Sequence, residues 1–203
     1  MASVSVRPRP LPVVRAAIHV SIFVWLLFLV YRASTGLDGP DPIKSLVLSS
    51  GEAALILLFA SLSITPARRL LKKPSFIALR RPLGLWAFTT ATLHLLVFAH
   101  GYLGWQVQLL LEELNDRPYI LVGTLAWVLL LPLAATSTRG WQRSLGSKWK
   151  TLHQAVYFSG CLVCTHIIWQ VRSDWIEAGV YTLIYVLILG SRYRTGLIFR
   201  LTR

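Results

Sequence analysis

Long apolar runs separated by short polar connections set the layout of this chain. The runs fall near residues 13–31, 46–65, 83–105, 119–136, 151–171 and 179–191. Most approach the ~20 residues that a helix rising ~1.5 Å per residue needs to cross a bilayer. The pattern predicts an all-α, polytopic bundle of six transmembrane helices, the last short or lengthened by its flanks. The connections GLDGPDPIK, ARRLLKKPSFIALRRP, QVQLLLEELNDRP, STRGWQRSLGSKWK and RSDWIEA are too short for an appended soluble domain. Residues 1–203 therefore read as a single transmembrane domain. No internal repeat is strong enough to suggest duplication.

Composition agrees with a membrane protein: 55% of residues are hydrophobic and only 14% charged. A soluble domain would need more polar surface. The net charge of +13 raises nucleic-acid binding as an alternative. The basic residues, however, sit in short clusters between the apolar runs, which is how topology is written, so the partner is the lipid bilayer and not nucleic acid. The N-terminus, the second and fourth connections and the C-terminal tail carry 17 of the 21 Lys and Arg. Only Arg32, Lys44, Arg117 and Arg172 fall on the other side. Cytoplasmic loops are enriched in Lys and Arg, so both termini are expected in the cytoplasm. The first run, led by Arg7, Arg9 and Arg15, is long enough to remain as an anchor.

Chemistry enters with the histidines. The segment Lys148–Gln170 carries His153 and His166, thirteen residues apart, and the third run carries His94 and His100. Ionisable groups inside a bilayer are costly and mark functional positions. Imidazole is also a common ligand of haem iron. Counting from Arg81 and Lys150 as cytoplasmic ends, His94 lies ~20 Å deep, His166 ~24 Å and His153 ~5 Å. His94 and His166 match in depth as an axial pair. His100, ~29 Å deep, is nearly as close in level, so spacing leaves the two alternatives open. In an ideal helix His153 and His166 point about 140° apart, so sharing one interior needs a bend, for which Ser159-Gly160 is a suitable place. His19, ~9 Å into the first run, is a candidate for a cytoplasmic-side pocket or for interhelical bonding. Cys161 and Cys164 read as small side chains at a packing face.

The segments RRPLGLWAFTTATLH (Arg80–His94), NDRPYILVGTLAWVLLLPLAATST (Asn115–Thr138) and LGSKWKTLHQAVY (Leu145–Tyr157) resemble the MsrQ (YedZ) family, with GPDPIK and SITPARR in agreement. These are haem-binding membrane subunits of bacterial methionine-sulfoxide reductase systems, within the ferric-reductase-like transmembrane proteins. The resemblance implies haem b, one or two per chain, with His94, His153 and His166 as iron ligands and His94 preferred over His100. Where the wider group has a further third-helix histidine, this sequence has Arg80, so the cytoplasmic-side pocket is left to His153 with Arg80 or His19.

It further implies FMN as an associated cofactor, and a donor that is the quinone pool or a cytoplasmic flavin reductase. The implied acceptor is MsrP, a periplasmic molybdopterin subunit that reduces methionine sulfoxide. The location implied is the bacterial inner membrane. On that view the chain is an electron carrier and substrate reduction belongs to the partner. No G-x-G-x-x-G fingerprint is present, so NAD(P)H oxidation unaided is not expected. The alternatives are another b-haem membrane reductase, acting on ferric iron or quinone, and a haem-free scaffold or channel.

Overall fold

The computed structural model describes residues 11–171 and 175–201, with side chains for 12–171 and 175–192. Arg7, Arg9, Arg172 and Arg203, used above for topology, lie outside the described residues. All the regular structure in the described residues is helical. The helices are α1 (Leu11–Thr35), α2 (Pro42–Leu70), α3 (Arg80–Gly101), α4 (Val107–Asp116), α5 (Pro118–Ala135), α6 (Arg139–Leu145), α7 (Ser147–Leu152), α8 (Ala155–Gln170) and α9 (Trp175–Leu201). Four helical segments among the described residues are long and apolar enough to cross a membrane: Pro12–Thr35, Pro42–Leu70, Pro74–Gly101 and Pro118–Ala135. A backbone in hydrocarbon must satisfy its own polar groups, which continuous helices do. The protein is a multi-pass membrane protein.

Two antiparallel helix pairs form the centre. α2 packs along α3, α5 packs along α8, and α9 lies against α2 and α8. Their shared core includes Leu55, Leu58, Leu62, Ala87, Leu130, Cys164 and Tyr185. α1 packs on α2 and α3 from outside, leaving Val20, Phe23, Val24 and Leu27 more than half exposed. Such a surface suits lipid, which is as apolar as the side chains it meets.

The connections differ from the expected loops. QVQLLLEELNDRP is largely helix α4, because Val107, Leu110, Leu111 and Leu114 follow the i, i+3, i+4, i+7 stripe of an amphipathic helix. The second connection is a continuation of α2 followed by a 3₁₀ turn at Pro74–Leu79, and the fourth holds α6 and α7. Gly146, at φ +52°, separates α6 from α7 in a backbone conformation that glycine adopts without strain.

Lys148–Gln170 is not one helix: it breaks at His153–Gln154, between α7 and α8. The angular offset computed for an unbroken helix therefore does not apply. Ser159-Gly160 lies inside α8 and makes close contacts there. Ser159 is fully buried and its hydroxyl donates to the Ala126 carbonyl at 3.0 Å. At Gly160 an added Cβ would stand 2.6 Å from the Tyr185 ring. Gly160→Ala is expected to cost about 1–3 kcal/mol through overpacking, read as a lower unfolding temperature of the solubilised protein.

Candidate functional site

The α2–α3 and α5–α8 pairs, with the start of α9, line a partly open cavity of about 710 Å³, within the ~300–1,000 Å³ range of small-molecule and cofactor sites. Its walls are mainly apolar, with Leu55, Leu58, Ala87 and Leu130 among them, and His94 and His166 line it from different helices. Both imidazoles are anchored in the same way. His94 Nδ1 lies 2.8 Å from the Val47 carbonyl oxygen, and His166 Nδ1 lies 2.7 Å from that of Tyr119. A carbonyl only accepts, so in each ring Nδ1 carries the hydrogen and donates it. The neutral ring then keeps its lone pair on Nε2. A backbone acceptor on the far nitrogen is the usual support for a metal-ligating imidazole, fixing tautomer and ring orientation.

The other histidines stand elsewhere. His100 is exposed and accepts from Trp105 Nε1 at 3.2 Å, and it does not line the cavity. His19 is exposed on α1 and accepts from Trp86 Nε1 at 2.8 Å. His153, the residue that ends α7, stacks on Trp149 with ring centroids 4.0 Å apart. Its Nε2 lies 3.2 Å from Thr136 Oγ1, and Arg80 is near enough to act on it electrostatically. The structure thus brings His94 and His166 to one cavity and places His153 with Arg80 outside it. Arg192 bonds the Tyr157 hydroxyl and the Leu62 carbonyl. Cys161 and Cys164 are unbridged, Cys164 being buried. Among the described residues no three His, Cys, Asp or Glu gather as a metal centre, so the imidazole pair is the donor set to consider.

Residues 47–164 match the family model described as ferric reductase like transmembrane component. A protein-methionine-sulfoxide reductase heme-binding subunit MsrQ from Cronobacter sakazakii (strain ATCC BAA-894) is 41% identical over 181 residues, covering 89% of this chain and 90% of that protein. The chain belongs to the MsrQ family of ferric reductase-like transmembrane proteins. No solved structure matches it significantly. The matched region runs from Val47 on α2 through α3 and α5 to Cys164 on α8, so it contains His94 and ends two residues before His166.

Sequence reasoning did not find Lys44 and Arg117, which line the same cavity and are exposed. Both were counted only as exceptions to the cytoplasmic bias of basic residues. That exception was the available signal, since a cation on the sparsely basic side needs another reason to be there. Arg117 also pairs with Glu113 at 3.3 Å. Nor did it find the carbonyls of Val47 and Tyr119, which carry no side-chain mark. Glu52 lines the cavity and accepts from the Tyr181 hydroxyl at 2.8 Å.

Proposed function

We propose that this chain is a b-type haem electron-transfer subunit of a bacterial inner membrane, with His94 and His166 as the axial ligands of a haem in the α2–α3–α5–α8 cavity. The observation that carries the reading is the pair of cavity-lining histidines, each with Nδ1 committed to a backbone carbonyl. The residues fit the group. The two Nε2 lone pairs are the right donors, the apolar walls suit a macrocycle, and Lys44 and Arg117 suit its carboxylates. When bound, haem supplies reversible one-electron chemistry at iron. Two protein ligands leave no open position for substrate, so the chain's own part is to hold the cofactor, keep water out and set the surrounding dielectric.

The reading extends to six spans with both termini cytoplasmic, α8 and α9 being the fifth and sixth. α8 alone is 16 residues, ~24 Å, and reaches bilayer length only with α7 at its cytoplasmic end. His153 and Arg80 belong to a second, cytoplasmic-side site, on the side where the donor would act. The donor is the quinone pool or flavin reduced by a cytoplasmic reductase, with FMN as the associated cofactor. The acceptor is a periplasmic molybdopterin subunit, MsrP, that repairs methionine sulfoxide in oxidised proteins; the similarity to the methionine-sulfoxide reductase subunit of Cronobacter supports that direction. Methionine sulfoxide is polar, and its reduction restores an apolar side chain.

The test is an absorbance and redox experiment. The purified protein is expected to show a Soret band with reducible b-type α and β bands, and to be reoxidised by its cognate MsrP with methionine sulfoxide. Absence of those bands after haem supplementation would sink the haem reading. A reducible haem that MsrP does not oxidise would favour another membrane reductase. An alkaline phosphatase domain fused after Arg203 is expected to stay inactive, and activity there would reverse the orientation.

A further inference from the structure

The two histidine anchors repeat with the same register. Each imidazole bonds the carbonyl 47 residues before it, His94 to Val47 and His166 to Tyr119. In each case a glycine stands four residues after that carbonyl, Gly51 on α2 and Gly123 on α5. The separation between the two glycines, and between the two histidines, is 72 residues. The same shift carries Ala54 to Ala126 and Leu58 to Leu130, all of which line the cavity. The cavity is therefore built from two helix pairs of matching design, although their sequences otherwise share little.

The glycines explain how the anchors form. A helical carbonyl has two lone pairs, so it can accept a side-chain N–H beside its own helix bond. The ring edge that carries Nδ1 must then come close to the helix, over the position one turn further on. A Cβ at Gly51 would stand 3.0 Å from both Nδ1 and Cε1 of His94. A Cβ at Gly123 would stand 2.7 Å from Nδ1 and 2.9 Å from Cε1 of His166. Any side chain there presses on the ring edge that makes the hydrogen bond.

We propose that Gly51 and Gly123 are the positioning residues of a duplicated ligand clamp, each giving one axial imidazole the room to donate Nδ1–H to the carbonyl one turn behind it. This rests on the haem reading above. The hydrogen bond raises the basicity of the ligating nitrogen and holds the ring plane. A more basic ligand favours ferric over ferrous iron, so the clamp keeps the reduction potential low on both faces. Weakening one anchor raises the potential and turns the imidazole.

The test compares Gly51→Ala, Gly123→Ala and Gly179→Ala in the full haem-loaded chain, by redox titration and electron paramagnetic resonance. Gly179 is exposed on α9 with nothing within 4 Å of an added Cβ, so it reports the cost of the substitution alone. Gly51→Ala is expected to keep haem, shift the midpoint potential upward and change the low-spin g-values. Gly123→Ala, with the tighter contact, is expected to shift further or to lose the low-spin signal, and Gly179→Ala to match the wild type. Wild-type potential and g-values in Gly51→Ala would overturn the clamp, even if unfolding temperature or haem content fell, because packing alone accounts for that result. Should Gly123→Ala fail to fold, Gly51→Ala decides by itself, its ring needing to give only slightly. The haem reading is separately exposed: low-spin haem surviving both His94→Ala and His166→Ala sinks the pair, whereas a failed glycine test after those losses sinks only the clamp.

Discussion

His166→Ala is expected to abolish the low-spin signal of the haem in the α2–α3–α5–α8 cavity, and His94→Ala to do the same. Each variant removes one of two protein ligands and opens an axial position. The remaining imidazole cannot reach across, because its Nδ1 is tied to a carbonyl of its own helix pair, Val47 for His94 and Tyr119 for His166. His100 cannot substitute for His94. It is exposed, bonded to Trp105 and outside the cavity. The low-spin spectrum of this site is therefore lost outright and not merely reduced, leaving either five-coordinate haem there or none. The measurement is the electron paramagnetic resonance and reduced absorbance spectrum of each variant beside the wild type. An unchanged low-spin spectrum in either variant would remove that residue from the pair.

Much of this site was legible because depth in a membrane is a linear function of residue number. Counting helical rise from Arg81 and Lys150 puts His94 and His166 at similar levels with no knowledge of packing. Rotation about the helix axis is harder to read, since it depends on every irregularity along the way. The break at His153–Gln154 invalidated the offset between His153 and His166, and nothing in LHQAV marks it. The connections misled for a related reason. QVQLLLEELNDRP read as a short polar connection, while the leucine spacing within it made α4.

The duplicated design was hidden because membrane packing constrains size more than identity. Gly51 with Gly123 and His94 with His166 are kept in register, but Val47 matches Tyr119 and Leu55 matches Trp127. Those positions contribute a carbonyl or a wall, for which many side chains serve. A sequence comparison sees the mismatches, whereas the geometry shows two equal anchors.

His153→Ala is expected to lower the haem content per chain while the low-spin signal of the His94–His166 site remains. The two sites are separate in space: His153 lies outside the cavity, held between Trp149 and Thr136 at the start of the α8 pair. Its ring is already oriented by stacking, so little rotational freedom is lost when a ligand is taken up. To bind iron through Nε2 it exchanges one weak contact, the 3.2 Å approach to Thr136 Oγ1, for the metal. Thr136 loses little in that exchange, because its hydroxyl already donates to the Pro132 carbonyl at 2.6 Å. Arg80, near His153, supplies a positive charge suited to a haem carboxylate or a flavin phosphate, whichever cofactor occupies that side. The check is a pyridine haemochrome assay against protein concentration, with a redox titration of the same samples. Loss of one titrating component with the other unmoved identifies His153 as a ligand of the second site. Wild-type haem content and wild-type potentials in His153→Ala would remove it from haem ligation and leave one haem, between His94 and His166.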